Sequence, residues 1–283
     1  MPKRKHPRAE KPKDSGPGRK ARGRPSAGPW LYGTHAVLAA LANPQRLCRR
    51  LVLTQETQAG LQEKLGKIKE LDGISVEIAP RDTVAGLLPP GAVHQGIALL
   101  AAPLPPVGLE DVLRNAKAKT DALVVLLDHV TDPQNVGAVL RSAAAFGAEA
   151  VCLTERHAPP GASGALAKAA SGALETLPLV QVTNLVRSME TLKEADFWCL
   201  GLDPDAETNL PESKAEGRVA LVLGAEGAGL RRLTRAHCDY LARLPIRPNT
   251  VASLNVAAAA AIALYELAGR RGAALSSAGG TPD

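Results

Sequence analysis

The sequence predicts an α/β protein of two domains, the larger built on a parallel sheet covered on both faces. Three observations predict it. From Asp121 onward, uninterrupted apolar runs such as ALVVLLD and RVALVLG alternate with helix-patterned stretches, and a strand that is apolar on both sides needs cover on both. Before that point, residues 29–102 carry shorter, more mixed strand and helix patterns that suit a small α/β unit. Between the two lies APLPPVGLED, residues 102–111, whose prolines suit a hinge. A chain of 283 residues that is 45% hydrophobic has enough apolar matter for two cores. The expected divisions are a basic disordered tail at 1–28, a small domain at 29–102, a linker at 103–120, the large domain at 121–271 and a flexible C-terminal tail at 272–283.

In the small domain, His35 to Ala42 is helical in pattern and CRRLVLT from Cys48 is a short strand. LQEKLGKIKEL from Leu61 has the spacing of an amphipathic helix, ISVEIA from Ile74 alternates as a strand does, and GIALLA from Gly96 closes the unit. In the large domain, ALVVLLD is a buried strand, NVGAVLRSAAAFG a helix and EAVCLT a strand. SGALAKAASGAL follows as a helix, DFWCLGL and RVALVLG as strands, and VASLNVAAAAAIALYELAGR as a long final helix.

The net charge of +6 is unevenly spread. Residues 1–28 hold ten Lys or Arg against Glu10 and Asp14, a local +8, which leaves −2 for the other 255 residues. The basic tail is too poor in large apolar residues to offset its ordering entropy, and it suits electrostatic attraction to nucleic-acid phosphates or a solubilising arm. The tail lacks the apolar core of a secretion signal, and no run of 18 apolar residues occurs, so a cytoplasmic protein without a membrane span is expected. Cys48, Cys152, Cys199 and Cys238 form no C-x-x-C pair, so no metal site is expected, and Cys152 and Cys199 read as small core residues of a reduced protein. Aromatic residues make up 2% of the chain, too few for a base-stacking sheet.

Three blocks place polar residues where apolar strands give way to turns or helices: DHVTDPQNVGAVLRSAAAFGA from Asp128, LVLGAEGAGL from Leu221, and LPIRPNTVASLNVAAAAAIALYE from Leu244. Open α/β sheets bind their ligands at such strand ends, so the blocks predict one shared pocket. The glycines at 224, 227 and 229 read G-x-x-G-x-G, not the dinucleotide fingerprint G-x-G-x-x-G, and stand late in the chain, which argues against a nicotinamide enzyme.

Asn135, Gly137 and Arg141, then Gly224, Glu226 and Gly227, then Ser253, Leu254 and Asn255 resemble the three signature motifs of the SpoU (TrmH) RNA 2′-O-ribose methyltransferases, over roughly residues 120–268. Upstream, LYGTHAVLAAL from Leu31 and HQGIALLAAPL from His94 resemble the two ends of the small RNA-binding domain in the bacterial 23S rRNA guanosine methyltransferase subgroup. The resemblance implies a SPOUT fold with a C-terminal trefoil knot, which ordinary topology would not suggest. It also implies S-adenosylmethionine as methyl donor, a guanosine of 23S rRNA as target, and a homodimer. A tRNA guanosine 2′-O-methyltransferase and a noncatalytic RNA-binding assembly protein are the alternatives.

By the same resemblance, the backbone around Gly224, Gly227, Leu244, Ile246 and Leu254 holds the cofactor, and Arg141 is the catalytic candidate. A guanidinium stays protonated at neutral pH, so gripping a phosphate and stabilising an alkoxide suit Arg141 better than general-base work. Asn135 reads either as a helix N-cap or as a substrate contact. Glu226 reads as a pocket organiser, accepting backbone N–H groups or pairing with Arg141, or as a plain turn carboxylate. Ser253 is an N-cap by type, yet the resemblance sets it and Asn255 beside the reacting groups. His35 and His94 suit local hydrogen bonding or RNA contact, and Arg231, Arg232 and Arg235 suit either a phosphate patch or a solvated helix face.

Overall fold

The computed structural model describes residues 29–66, 73–157, 164–247 and 253–270, so the two expected tails lie outside the described residues. The small domain is β1 (Trp30–Tyr32), α1 (Thr34–Ala42), β2 (Cys48–Leu53), α2 (Gln55–Gly66), β3 (Ser75–Ile78), α3 (Arg81–Gly86) and β4 (Ile97–Ala101). Its sheet runs β1-β4-β2-β3, with β4 antiparallel to both neighbours and β2 parallel to β3. In β1, β2 and β4, Leu31, Leu51, Leu53, Ile97 and Leu99 share a core with Val37, Ala40 and Leu61, while Tyr32, Val52 and Ala98 pack beneath Val84 of α3. Strand β3, expected to alternate, instead leaves Val76 and Ile78 exposed at the edge of the sheet. Helix α2 begins six residues before the expected Leu61 because the Thr54 hydroxyl accepts the Thr57 N–H and starts the helix there. The end of that expected helix, residues 67–71, lies outside the described residues.

The large domain continues with α4 (Leu109–Ala116), β5 (Ala122–Asp128), α5 (Pro133–Ala145), β6 (Ala150–Thr154), α6 (Gly164–Ala170), β7 (Leu179–Val182) and α7 (Leu185–Glu194). It ends with β8 (Trp198–Leu202), β9 (Arg218–Gly224), α8 (Arg232–Ala236), β10 (Tyr240–Ala242) and α9 (Val256–Arg270). Six strands form one sheet in the order β10-β8-β9-β5-β6-β7, every pair parallel. Both faces are covered. Leu123, Val125 and Leu127 of β5 join α5, α6 and α9 in one core, and Val124 and Leu126 join α4 and α7 in the other. Cys152 and Cys199 are fully buried in these layers, and burial pushes each thiol up to about 12.

Residues 102–108 form no regular element, but the prolines do not extend that character to 111. Leu109, Val112 and Ala116 of α4 bury against the sheet, and the Arg218 guanidinium takes up the carbonyls of Ala116, Lys117 and Lys119 at the helix C-terminus.

Because all six strands are parallel, their C-terminal ends lie along one edge. Chain order reverses between β5 and β9, whose ends pair Asp128 with Gly224, and such a switch point opens a crevice. Helix α5 is fixed at this edge. Asp132 accepts the N–H groups of Gln134 and Asn135, and Pro133 supplies the first helical position. Its other end closes with Gly147 at φ +66, where the Ala148 N–H donates to the Ala143 carbonyl and the Gly147 N–H to that of Ala144.

Candidate active site

At the C-terminal edge of the sheet, the loops after β8, β9 and β10 and the start of α9 enclose a pocket of about 760 Å³. Its apolar wall is Leu202, Leu223, Leu230, Leu244, Ile246 and Leu254, and its polar rim includes Asp203, Asn209, Arg235, Arg243 and Ser253. All five expected cofactor residues, Gly224, Gly227, Leu244, Ile246 and Leu254, line this one pocket, although they come from three separate blocks.

The turn after β9 depends on its glycines in two different ways. A Cβ on Gly224 would come within 2.4 Å of the backbone of Gly229 and Leu230, so Gly224 permits the chain to fold back on itself. Gly227 meets no such crowding but has φ +76, a left-handed conformation that L side chains rarely adopt. The Gly229 N–H closes the loop on the Ala225 carbonyl.

Glu226 sits on that turn, and its Oε1 ties the three blocks together. It accepts the side-chain amide of Asn135 at 3.0 Å, that of Asn255 at 2.5 Å and the Val256 N–H at 3.4 Å, while Asn255 Nδ2 also donates to Asn135 Oδ1 at 2.9 Å. Three residues separated by up to 120 positions thus meet around one carboxylate oxygen. Each amide is oriented, because Glu226 can only accept.

Several expectations are corrected by this geometry. Asn135 is not the cap of α5; Asp132 is, and the Asn135 side chain is left for Glu226. Ser253 is not the cap of α9, which starts only at Val256. Asn255 Oδ1 accepts the N–H groups of Ala257 and Ala258 instead, and Ser253 lies on the pocket wall. Glu226 accepts a backbone N–H, as one alternative held, and does not pair with Arg141. Arg141 is exposed on α5, outside the pocket lining, and makes no hydrogen bond or ion pair among the described residues. Of the three arginines after the glycine turn, Arg231 and Arg235 are engaged and only Arg232 is left to solvent as a simple helix-face residue.

Two carboxylates without an expected role also serve the site. Asp128, fully buried at the end of β5, accepts the Arg231 N–H at 2.9 Å and Arg231 Nε at 2.6 Å, which anchors the far end of the glycine turn. Asp203, just beyond β8, accepts Arg235 Nε at 2.5 Å and the Asp205 N–H at 2.9 Å, which fixes the pocket rim. Each acid follows an apolar strand directly, and a carboxylate at such a buried end requires partners; that was the available signal.

A family model described as the SpoU rRNA Methylase family matches residues 122–265, and one described as RNA 2′-O ribose methyltransferase substrate binding matches residues 30–107. The chain belongs to the SpoU methylase family. Among its SpoU relatives, the 23S rRNA (guanosine-2′-O-)-methyltransferase RlmB of Haemophilus ducreyi is 39% identical over 239 residues, covering 84% of this chain and 96% of that protein. The RlmB of Coxiella burnetii is 40% identical, covering 85% and 95%. An uncharacterized tRNA/rRNA methyltransferase of Synechocystis is 38% identical, and there the match spans 62% of the relative's length. The solved SpoU methyltransferase AviRb from Streptomyces viridochromogenes, in complex with AdoMet, superposes with a TM-score of 0.70 over 86% of this chain and 89% of its own; at 23% identity it speaks for the SpoU fold alone.

Proposed function

We propose that the protein transfers a methyl group from S-adenosylmethionine to a ribose 2′-hydroxyl of RNA, on a guanosine of 23S rRNA. The observation that carries this reading is the convergence of the three blocks: the pocket and the amide–carboxylate network share one wall through Glu226. Relatives about 39–40% identical over nearly their whole length bear the name of that activity.

The pocket suits such a cofactor chemically. Leu223, Leu244, Ile246 and Leu254 offer apolar surface to an adenosine, and the tight backbone at Gly224 admits close approach. When bound, the cofactor supplies an electrophilic sulfonium methyl. The chain's part is chiefly positioning. Glu226 holds the amides of Asn135 and Asn255 in one orientation, from which they would position the ribose. Arg141, unpaired among the described residues and on the same helix as Asn135, grips the neighbouring phosphate and stabilises charge developing on the 2′-oxygen. Ser253, on the pocket wall, would offer its hydroxyl to the cofactor or the ribose.

Three further parts belong to this reading. The trefoil knot threads the C-terminal segment, consistent with α9 packing on α5 and with Asn255 pinned to the turn after β9. The homodimer forms on α9, where Ile262 and Tyr265 stand 47% and 69% exposed and the Tyr265 ring meets Phe146 edge-on. The protein works in the cytoplasm, where rRNA is made; no described helix is long and apolar enough to cross a membrane.

The test is nucleoside mass spectrometry of 23S rRNA from cells with and without the gene. Loss of one 2′-O-methylguanosine on deletion and its return on complementation supports the reading. Unchanged 23S rRNA with loss from tRNA would transfer the activity to the tRNA alternative.

A further inference from the structure

Helix α6 and the turn after it, Ala173–Glu175, stand between α5 and the small domain. One side of this segment touches α5 almost backbone to backbone: a Cβ on Gly137 would lie 2.4 Å from that of Ala169 and 2.9 Å from the Leu166 carbonyl oxygen. The other side touches the small domain at regular intervals. A Cβ on Gly164 would lie 2.4 Å from the Trp30 carbonyl oxygen, Lys168 donates to the Val93 carbonyl and lies 5.9 Å from the Tyr32 ring centre, and Gly172 approaches Ala39. Gly164 and Lys168 are one helical turn apart, so they share a face.

The segment ends in a buried ion pair that bridges the domains. The Glu175 carboxylate, 4% exposed, accepts Arg46 Nη2 at 2.5 Å, Arg46 Nε at 3.1 Å and Asn43 Nδ2 at 2.8 Å. Arg46, 2% exposed in its side chain, spends Nη1 on the carbonyl of Ala102, the first residue of the interdomain stretch. Its planar fork matches the carboxylate, and removing either partner leaves an uncompensated buried charge. A stretch that reads as a hinge is therefore tied down at its first residue.

We propose that Arg46 and Glu175 are positioning residues for the reaction. They lock the small domain onto the α6 segment, so that RNA held by the small domain reaches Asn135 and Arg141 of α5 in fixed register. The proposal rests on the reading of the protein as an RNA methyltransferase, but its geometric half can be measured without activity. Transfer to a ribose oxygen tolerates little misplacement, which gives such a lock its use.

The test uses the full chain with Cys48 and Cys238 changed to Ser and spin labels on Gln62→Cys of α2 and Arg187→Cys of α7. Labelled chains are diluted in excess unlabelled protein and the interdomain distance is read by pulsed electron resonance, together with kcat/KM on 23S rRNA and calorimetric affinity for S-adenosylmethionine. With the pair intact, one narrow distance is expected. Glu175→Gln should broaden it and lower kcat/KM by about tenfold or more, with cofactor affinity changed less than about twofold. Arg46→Lys, which keeps the charge but loses the fork, should fall in the same direction by less. A broad distance with the pair intact, or a variant that keeps both a narrow distance and full turnover, would overturn the lock. So would loss of cofactor binding in step with turnover, which would assign the pair to folding alone. If the intact protein methylates no RNA, the enzymatic reading fails while the distance still decides the lock.

Discussion

In the proposed reaction, Arg141 is the residue on which the chemistry turns. It is exposed on α5 and, among the described residues, makes no hydrogen bond or ion pair. A cation kept free on a rigid helix is ready for an anion from outside, and a phosphate beside the target ribose is such an anion. Because Arg141 does not line the pocket, Arg141→Ala should lower kcat by about a hundredfold or more while calorimetry finds cofactor affinity within about twofold. Equal loss of both would remove it from catalysis. At this scale residue types were legible in the sequence but their roles were not. Asn135, Glu226 and Ser253 each suggested an alternative local use, and only tertiary proximity sorts them: Asp132 takes the cap of α5, Asn255 rather than Ser253 takes that of α9, and Glu226 serves both asparagines. Asp128 and Asp203 went unnoticed because their partners lie 103 and 32 positions away.

Among the elements, α5 carries the most weight, since its N-terminal turn presents Asn135 and its third turn Arg141. Asp132 holds that end through two N–H groups, so Asp132→Ala should destabilise the protein by about 0.5–2 kcal/mol in urea titration. It should also raise KM for RNA as Asn135 loosens. Unaltered stability would mean that packing alone fixes the helix start. Long apolar strands were legible, because β5, β6 and β9 are buried on both faces and read as unbroken apolar runs bounded by turns. The Ala-rich helices were legible but their ends were not: the stretch expected as helix through Leu174 leaves the helix after Ala170, where Ser171 and Gly172 take positive φ. Short elements were not legible. Strand β7 alternates over four residues, β10 spans three and α8 five, too few for a period to emerge, and α3 is only six residues long. Helix α7 has a clear amphipathic pattern with Asn184 as its cap and could have been read from the sequence.

Across the whole molecule, a parallel sheet with cover on both faces explains why one edge gathers the three sequence blocks. On the side covered by α5 and α9, Ile262 and Tyr265 are left exposed. If Ile262 and Tyr265 close a homodimer, Tyr265→Lys should convert the dimer to monomer in analytical ultracentrifugation, because a buried unpaired ammonium opposes association. A dimer of unchanged strength would place the interface elsewhere. The order of the two domains was legible from the change in strand length and pattern; the contact between them was not, since Gly164, Lys168, Glu175 and Arg46 read as ordinary surface residues until the chain is folded. Methyl transfer to a ribose oxygen can be measured by transferring labelled methyl from S-adenosylmethionine to rRNA lacking the modification and then hydrolysing the RNA in alkali. A 2′-O-methyl group removes the nucleophile that cleaves the adjacent phosphodiester, so label recovered in alkali-resistant dinucleotides from 23S rRNA is the predicted result. Label released in mononucleotides would mean methylation of a base and would contradict the account.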